Sequence, residues 1–241
     1  MAVSEQDINC DRTVNANSEF EKDNFTQQIT QIQNTFMLTK KSTIKSSLYH
    51  ISSDGWWDFD LENYYGNEST IDDVSRNTLK SNLFGLYSNY NFNNKKFNIT
   101  SGFHCNTYMN DFTESHLASS EIWNSNNKYK KEISIFQKTE YKINSLLLFY
   151  DLQYRKAWFD YSGNIDFNQI NWSFLNPKIG ISYRYLDSNI LYANIGKTSR
   201  EPSRYDMFYG YDVLSHLLKP DSLGNLSSNL GNELLSSIEP E

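Results

Sequence analysis

The sequence has little of what compact enzymes and disulfide-rich domains depend on. Its 241 residues include only 10 Gly, 4 Pro and 2 Cys. The two cysteines, Cys10 and Cys105, exclude a framework of several disulfides and leave a single bridge open. Neither cysteine has the C-x-x-C neighbour of a common zinc site, and no metal site or cofactor is predicted. The scarcity of Gly and Ala is untypical of an α/β enzyme.

Long hydrophobic runs and an excess of basic residues are also missing. The longest apolar run is 146–150, far short of the roughly 20 residues of a transmembrane helix. The first residues lack the basic and apolar segments of a signal peptide, which taken alone favours a cytosolic protein. Lys plus Arg is 22 against 29 for Asp plus Glu, a net charge of −7. Nucleic acid is therefore not an expected partner, because binding phosphates requires a basic face.

What the sequence does have is aromatic and small polar residues in alternation. Aromatics make up 15% of the chain, including 17 Tyr and 15 Phe. Apolar residues hold mainly the even positions of 84–92 and the odd positions of 97–105, and a polar turn at 93–96 joins these runs. Period-two alternation on both sides of a tight polar turn predicts a β-hairpin.

The same unit recurs three more times, so the sequence predicts four hairpins and eight strands in one antiparallel meander. The other tight turns lie near 39–43, 142–144 and 187–189. Between the hairpins the sequence predicts long loops, at 53–77, 106–131 and 160–171, and from 200 onward.

Period-two alternation alone leaves two all-β architectures open. One is a soluble β-sandwich whose apolar faces meet in a core, and the other is an outer-membrane barrel with lipid outside and a polar lumen. Several long loops are unusual in a compact soluble domain, whereas barrels combine short periplasmic turns with long extracellular loops. Loop length therefore favours the barrel. A complete small barrel of eight strands is a third possibility.

The barrel interpretation predicts how the side chains divide. One convex face should carry an apolar set: Phe84, Leu86, Tyr90, Phe97, Ile99, Phe103, Leu146, Leu148, Leu152, Ile179 and Ile181. The concave face should carry a polar set: Asn89, Asn98, Thr100, Gln153, Lys178 and Arg184. Aromatic residues near the tight turns are expected to form a girdle at the periplasmic boundary: Tyr90, Phe92, Phe97, Tyr141, Tyr183 and Tyr185.

Three short motifs in the last third of the chain resemble those of a known family. In order, they are Asn176, Pro177, Lys178, Gly180 and Tyr183, then Arg200, Glu201, Pro202 and Arg204, then Glu239, Pro240 and Glu241. This N-P-K-x-G-x-x-Y, R-E-P-x-R and P-E order resembles the mid-barrel of TonB-dependent outer-membrane receptors. The Asn- and Tyr-rich hairpins before it resemble members from Bacteroidetes-type bacteria.

The resemblance implies that residues 1–241 are a partial, open segment of a large transmembrane β-barrel. The plug domain, the signal peptide and the remaining strands of such a receptor are expected to lie outside this chain. The intact protein would sit in the outer membrane, in contact with its lipid. It would bind a scarce nutrient such as an iron–siderophore, haem or a glycan. Import would use the inner-membrane TonB complex, reached through the missing N-terminal part.

Residues that could carry out chemistry are few. No nucleophile-elbow, zinc-protease, Walker or Rossmann pattern occurs, so an enzyme is not predicted. The acidic residues of 58–73 are expected to be solvated. Four aromatic residues are the best ligand-binding candidates, because their flat faces stack on sugars, aromatic siderophores or haem: Trp56, Trp57, Tyr64 and Tyr65. For Arg200, Glu201, Pro202 and Arg204, structural pairing across the lumen wall is favoured over ligand contact.

Overall fold

The computed structural model describes Asn9 and residues 18–163, 167–186 and 189–203. These residues form one antiparallel sheet of eight strands. The strands are β1 (Asp23–Thr39), β2 (Ser42–Asp60), β3 (Val74–Asn93), β4 (Phe97–His116), β5 (Ile122–Ile143), β6 (Leu146–Ser162), β7 (Phe167–Leu186) and β8 (Asn189–Gly196). A short helix, α1 (Leu61–Tyr64), and a 3-10 turn (Ile71–Asp73) connect β2 to β3.

The sheet is a simple meander in which each strand pairs with its neighbours in sequence, in the order β1 to β8. This confirms the predicted hairpins and the predicted topology. The described residues contain one sheet and not two, so the β-sandwich alternative is wrong for this part of the chain. β1 and β8 lie at opposite edges and do not pair with each other, which also excludes a closed eight-stranded barrel among these strands.

The predicted loops between hairpins are mostly strand. β2 continues to Asp60, so the connection to β3 is 61–73 and not 53–77. The connection between β4 and β5 is 117–121, and that between β6 and β7 is 163–166. Several strands therefore reach 20 residues or more. The prediction failed because the strand halves next to the longer connections are rich in Asn, Ser and charged residues, which weakens the apolar alternation by which a strand is recognised.

The cross-strand register divides the side chains as predicted. Leu86 lies opposite Leu48 and Cys105, and Phe103 lies opposite Ile135. Following these pairs across the sheet places the whole predicted apolar set on one face, called here the outer face. The predicted polar set falls on the other, called the inner face. The prediction of two faces is confirmed, since one misregistered pair would have mixed the sets.

The outer face carries an apolar band next to the tight turns. In β2 to β6 the band covers residues 44–52, 84–92, 97–109, 133–143 and 146–154, each about 9 to 13 residues. A tilted strand crosses a bilayer in about 9 to 11 residues. Charged residues mark the end of the band that is farther from the tight turns. In each of these strands, the first or second outer-face residue past that end is charged: Asp54, Lys80, Asp111, Lys131 and Lys156. Among the described residues, no helix is long and apolar enough to cross a membrane.

The buried apolar residues gather at the loop end of the sheet. Ala157, Phe159, Tyr161, Trp172 and Phe174 form one cluster on the inner face of β6 and β7. Side chains near the tight turns are more exposed than this cluster; Tyr183 on the outer face, for example, is 46% exposed. The six predicted girdle residues all lie on the outer face, where Phe97 stacks on Tyr141 with ring centroids 4.6 Å apart.

Candidate functional site

A groove of about 450 Å³ runs across the inner face. Residues from six consecutive strands line it, which shows that the sheet curves toward this face: Gln31, Gln33, Ser47, Tyr49, Tyr87, His104, Ser134, Phe136 and Gln153. Its floor combines aromatic rings with amide and hydroxyl groups. Such a surface can stack on a flat ligand and hydrogen-bond to its edges.

Two glycines make room for the aromatic rings of the groove. Tyr49 lies across Gly85, where an added Cβ would be 2.1 Å from the ring carbon Cζ. Phe136 lies over Gly102 in the same way, with Cζ 2.9 Å from the position of a Cβ. Each ring is directly opposite its glycine in the register. The missing side chains let the rings lie flat against the sheet backbone.

The ring of Tyr49 on β2 extends across β3 and reaches β4. Its hydroxyl is 2.7 Å from Nε2 of His104 on β4, and the two rings are stacked at 6.1 Å. Tyr87 continues the surface, with its ring stacked on Phe136 at 6.2 Å. Gln31 donates a 2.6 Å hydrogen bond to Ser47 at the edge of the groove. The groove is therefore lined by side chains held in place by one another.

A charged cluster borders this groove on β5 and β6. Arg155 donates to Glu132 at 2.6 Å, and to both carboxylate oxygens of Glu201 at 2.6 and 2.8 Å. Lys130 also pairs with Glu201. The charges of the two cations and the two anions cancel. Arg155 lies opposite Ser134, which in turn lies opposite His104, so the cluster is next to the groove. Glu201 is thus held against β5 and β6 by ion pairs, and its structural role stays a prediction.

The first motif contacts the residues that lead into the second motif. The side chain of Asn176 accepts a 2.8 Å hydrogen bond from the Ser199 amide and donates to the Ser199 carbonyl at 3.3 Å. Lys197 donates its amide to the Pro177 carbonyl at 2.9 Å. Gly180 accommodates the ring of Phe149, and Lys178 lies 5.9 Å from the centre of that ring. Arg204, Glu239, Pro240 and Glu241 lie outside the described residues, as does Cys10, for which a bridge to Cys105 was left open.

The four aromatic ligand candidates do not form one site. Trp56 and Trp57 stand on β2 rather than in a loop, and as strand neighbours they point to opposite faces. Trp56 lies under the Arg76 guanidinium at 3.9 Å, while Trp57 contacts Phe112 on the inner face with ring centroids 6.0 Å apart. Tyr64 is the last residue of α1 and Tyr65 follows it, and both side chains are exposed. Their role in ligand binding stays a prediction.

The acidic residues at this end are not simply solvated, as the sequence led us to expect. Asp58 is buried and forms a two-pronged ion pair with Arg76 at 2.8 and 3.0 Å. Asp60 is fully buried and caps α1. Burial alone would raise its pKa, but hydrogen bonds from Ser18, the Asn63 amide and Ser69 outweigh burial, and the pKa of Asp60 lies below its ordinary value.

Sequence reasoning missed the groove itself. Tyr49, Tyr87 and Phe136 come from three different strands, and only the register brings them together. A usable signal was present, since Gly85 and Gly102 interrupt strand-like alternation on the polar side. Among the described residues, no group of three or more His, Cys, Asp or Glu side chains could hold a metal ion.

Comparison with known proteins places the fold. A family model described as TonB dependent receptor-like, beta-barrel, matches residues 5–241. A search of curated protein sequences finds no match. Among solved structures, the copper transporter OprC aligns with a TM-score of 0.62 and 11% identity over 80% of this chain and 32% of its own.

Two further solved structures give the same result. The ferric citrate transporter FecA, in its unliganded form, aligns with a TM-score of 0.59 and 11% identity over 79% of this chain and 30% of its own. The ferric-catecholate import receptor Fiu from E. coli K12 aligns with a TM-score of 0.60 and 8% identity over 77% and 37%. This chain spans about a third of the length of these structures.

Proposed function

The chain belongs to the family of TonB-dependent receptor-like β-barrels, and we propose that it forms eight neighbouring strands in the wall of a larger outer-membrane receptor. Members of this family are transporters and not enzymes. The sheet among the described residues is open at β1 and β8, and an open sheet edge cannot stay unpaired in a bilayer. Both observations support a segment of a larger barrel.

The two-faced sheet is the observation that carries this proposal. Its outer face exposes large apolar side chains, such as Ile179 at 58% and Phe84 at 47%, in a band about as tall as a bilayer core. A soluble monomer rarely exposes so continuous an apolar surface. The inner face is instead polar and grooved. Lipid outside and an aqueous lumen inside account for both faces.

We infer that the intact receptor binds a scarce nutrient at its outer side and imports it with energy from the TonB complex. The contact with TonB would be made by a part of the receptor outside this chain. The aromatic and amide groups of the groove suit a ferric siderophore, haem or a glycan. The structurally similar proteins are described as handling copper, ferric citrate and ferric catecholates, which supports a metal-bearing nutrient.

Labelling of single cysteines tests the placement. In a background with Cys10 and Cys105 changed to Ser, Glu68→Cys places a thiol in the 61–73 connection and Lys95→Cys places one in a tight turn. Both positions are exposed. A membrane-impermeant maleimide should label Glu68→Cys in intact cells, and Lys95→Cys only after the outer membrane is permeabilised. Equal labelling in intact cells, or recovery of the protein in the soluble fraction, would contradict the proposal.

Uptake assays test the nutrient and the groove. A strain lacking the gene should lose uptake of one substrate from a panel of labelled ferric siderophores, haem and oligosaccharides, and a strain without TonB should show the same loss. Tyr87→Ala removes a groove ring and should weaken uptake several-fold. Tyr183→Ala removes an outer-face ring of the same size and serves as the control. Equal effects of the two substitutions would refute a role of the groove in the ligand path.

A further inference from the structure

The groove on the inner face is lined without a charged side chain. The described residues that line it are three Gln, two Ser, two Tyr, one Phe and one His, with no Lys, Arg, Asp or Glu among them. Nε2 of His104 lies 2.7 Å from the Tyr49 hydroxyl, so this ring is already engaged within the groove. Amides and hydroxyls hydrogen-bond to neutral atoms of a ligand, but they supply no full charge to oppose an anion.

Two cations lie at the border of this uncharged surface, and carboxylates neutralise both. Arg155 lies opposite Ser134, which lines the groove. It donates to Glu132 at 2.6 Å and to both oxygens of Glu201 at 2.6 and 2.8 Å, while Lys130 also pairs with Glu201. The side chains of Arg155 and Glu201 are only 19% and 13% exposed, so water screens their charges little. Neither cation is free to meet a ligand in the groove.

Glu201 sets this balance, because both cations share its carboxylate. Lys130 and Arg155 each pair with Glu201, whereas Glu132 pairs with Arg155. Without Glu201 the cluster would contain two cations and one anion, and a net positive charge would lie beside the groove. The carboxylate comes from the segment after β8, which hydrogen-bonds to the side chain of Asn176 on β7. A residue from outside β5 and β6 therefore makes this border of the groove neutral.

The charged residues on the turn side of the groove do not supply a cation to it either. Lys138 pairs with Glu140 at 2.9 Å, and Asp151 lies between Lys138 and Lys178 in the register. Lys45 on β2 is exposed and does not line the groove, so water and salt screen its charge. The groove is thus uncharged in itself, and the charges next to it are paired or screened.

We propose that the groove takes an uncharged, oxygen-rich ligand and that Glu201 is the residue that sets this preference. Two kinds of nutrient have this chemistry: a ferric complex in which three hydroxamate groups cancel the charge of Fe³⁺, and a neutral glycan. A ferric tris-catecholate carries a net negative charge, and it would lose water in the groove without gaining a free cation. This inference rests on the proposed function, because it names the ligand class for the path assigned to the groove.

Binding of defined probes to the intact receptor in detergent tests the preference. One pair of probes is a neutral ferric trihydroxamate and an anionic ferric tris-catecholate, and the other is one oligosaccharide in neutral and sulfated forms. Isothermal titration calorimetry would give the four dissociation constants. We expect one neutral probe to bind, and to bind more tightly than its anionic counterpart; the pair in which this occurs identifies the kind of nutrient. Binding of neither neutral probe, or tighter binding of the anionic counterpart, would overturn the proposal.

Charge variants test the role of Glu201. Glu201→Gln should shift the ratio of anionic to neutral binding about ten-fold toward the anion, the effect of a unit charge about 12 Å away at the effective dielectric of a protein surface. Glu201→Gln with Lys130→Gln removes one charge of each sign and should restore the ratio. The matched control is Glu140→Gln, which removes a carboxylate from the exposed pair with Lys138 and should change the ratio less than about two-fold.

These variants separate charge from shape. No shift in the Glu201→Gln variant, or an equal shift in the Glu140→Gln variant, would overturn the role of Glu201. A shift that persists in the double variant would also overturn it, because Glu201 would then act by holding its segment in place and not by its charge.

Failure of this inference can be separated from failure of the proposed function. Labelling of Glu68→Cys and uptake that requires TonB report placement and transport without depending on Glu201. A correctly placed, transporting receptor without a preference for neutral probes would overturn only the ligand class. A protein found outside the outer membrane would overturn the proposed function, and with it the ligand class.

Discussion

Replacing Gly85 with Ala tests whether the inner face depends on aromatic rings lying over glycine. An added Cβ would be 2.1 Å from Cζ and 2.2 Å from the hydroxyl of Tyr49, far closer than an ordinary contact. The ring must lift, and its 2.7 Å hydrogen bond to His104 is lost. Overpacking costs about 1–3 kcal/mol, and the hydrogen bond contributes about 0.5–1.5 kcal/mol.

An opposite effect reduces this loss without cancelling it. Ala in a strand is favoured over Gly by about 0.5–1 kcal/mol, because Gly loses more conformational freedom on folding. The expected net result for Gly85→Ala is a free energy of unfolding lower by about 1–3 kcal/mol. In a Tyr49→Ala background the clash is absent, so the same substitution should raise it by about 0.5–1 kcal/mol.

The decisive measurement is whether Gly85→Ala lowers the free energy of unfolding of the unchanged protein but raises that of the Tyr49→Ala variant. Urea unfolding of the protein in detergent, followed by tryptophan fluorescence, would give the four free energies of a double-mutant cycle. A coupling of about 1.5–4 kcal/mol is expected between Gly85 and Tyr49. If Gly85→Ala changes stability by the same amount in both backgrounds, Tyr49 does not lie across Gly85 and the reasoning about the groove fails.

Two further predictions concern the charged groups. Arg155→Met leaves Glu132 and Glu201 without their shared partner in a largely buried place, and should lower the free energy of unfolding by about 3–5 kcal/mol. Lys142→Met, at the exposed turn end, should change it little, and equal losses would contradict the cluster as described. The pKa of Asp60 is lowered by folding, so the ionised carboxylate stabilises the fold above the unfolded-state pKa, and this contribution is lost as the pH falls through the lower folded value. Proteolysis of the 61–73 connection should therefore increase on acidification, and Asp60→Asn should be cleaved already at neutral pH with little further change. Acid-insensitive cleavage of the unchanged protein would refute this assignment.

The hairpins and the division of faces could be predicted because both are local. Alternation of Leu86 with Tyr87, or of Phe103 with His104, is visible in the sequence alone, and each tight turn fixes the register of its own hairpin. The strand ends could not be predicted in the same way. Asn110 and Asn126 are buried in the halves of β4 and β5 next to the longer connections, but the many polar residues there obscure the alternation, so these Asn- and Ser-rich stretches were interpreted as loops.

The candidate site was less accessible to sequence reasoning, since it depends on pairing between distant segments. Glu201 was expected to pair across the wall, yet nothing in the sequence identified Lys130 and Arg155 as its partners, 71 and 46 residues away. Trp56 and Trp57 were grouped because they are adjacent in sequence. Neighbouring residues of a strand point to opposite faces of the sheet, so these two tryptophans do not line the same surface.

The placement of glycine shows why the two faces need different residues. All five glycines within the described strands lie on the inner face: Gly55, Gly85, Gly102, Gly180 and Gly196. Four of them lie directly opposite an aromatic ring, from Phe25, Tyr49, Phe136 or Phe149. A ring lying flat on the sheet projects less into the space that the inner face encloses. On the outer face a glycine would leave a gap that lipid must fill, whereas branched and aromatic side chains there keep the apolar band continuous. The sequence thus reduces bulk where a lumen is needed and keeps it where lipid is the solvent.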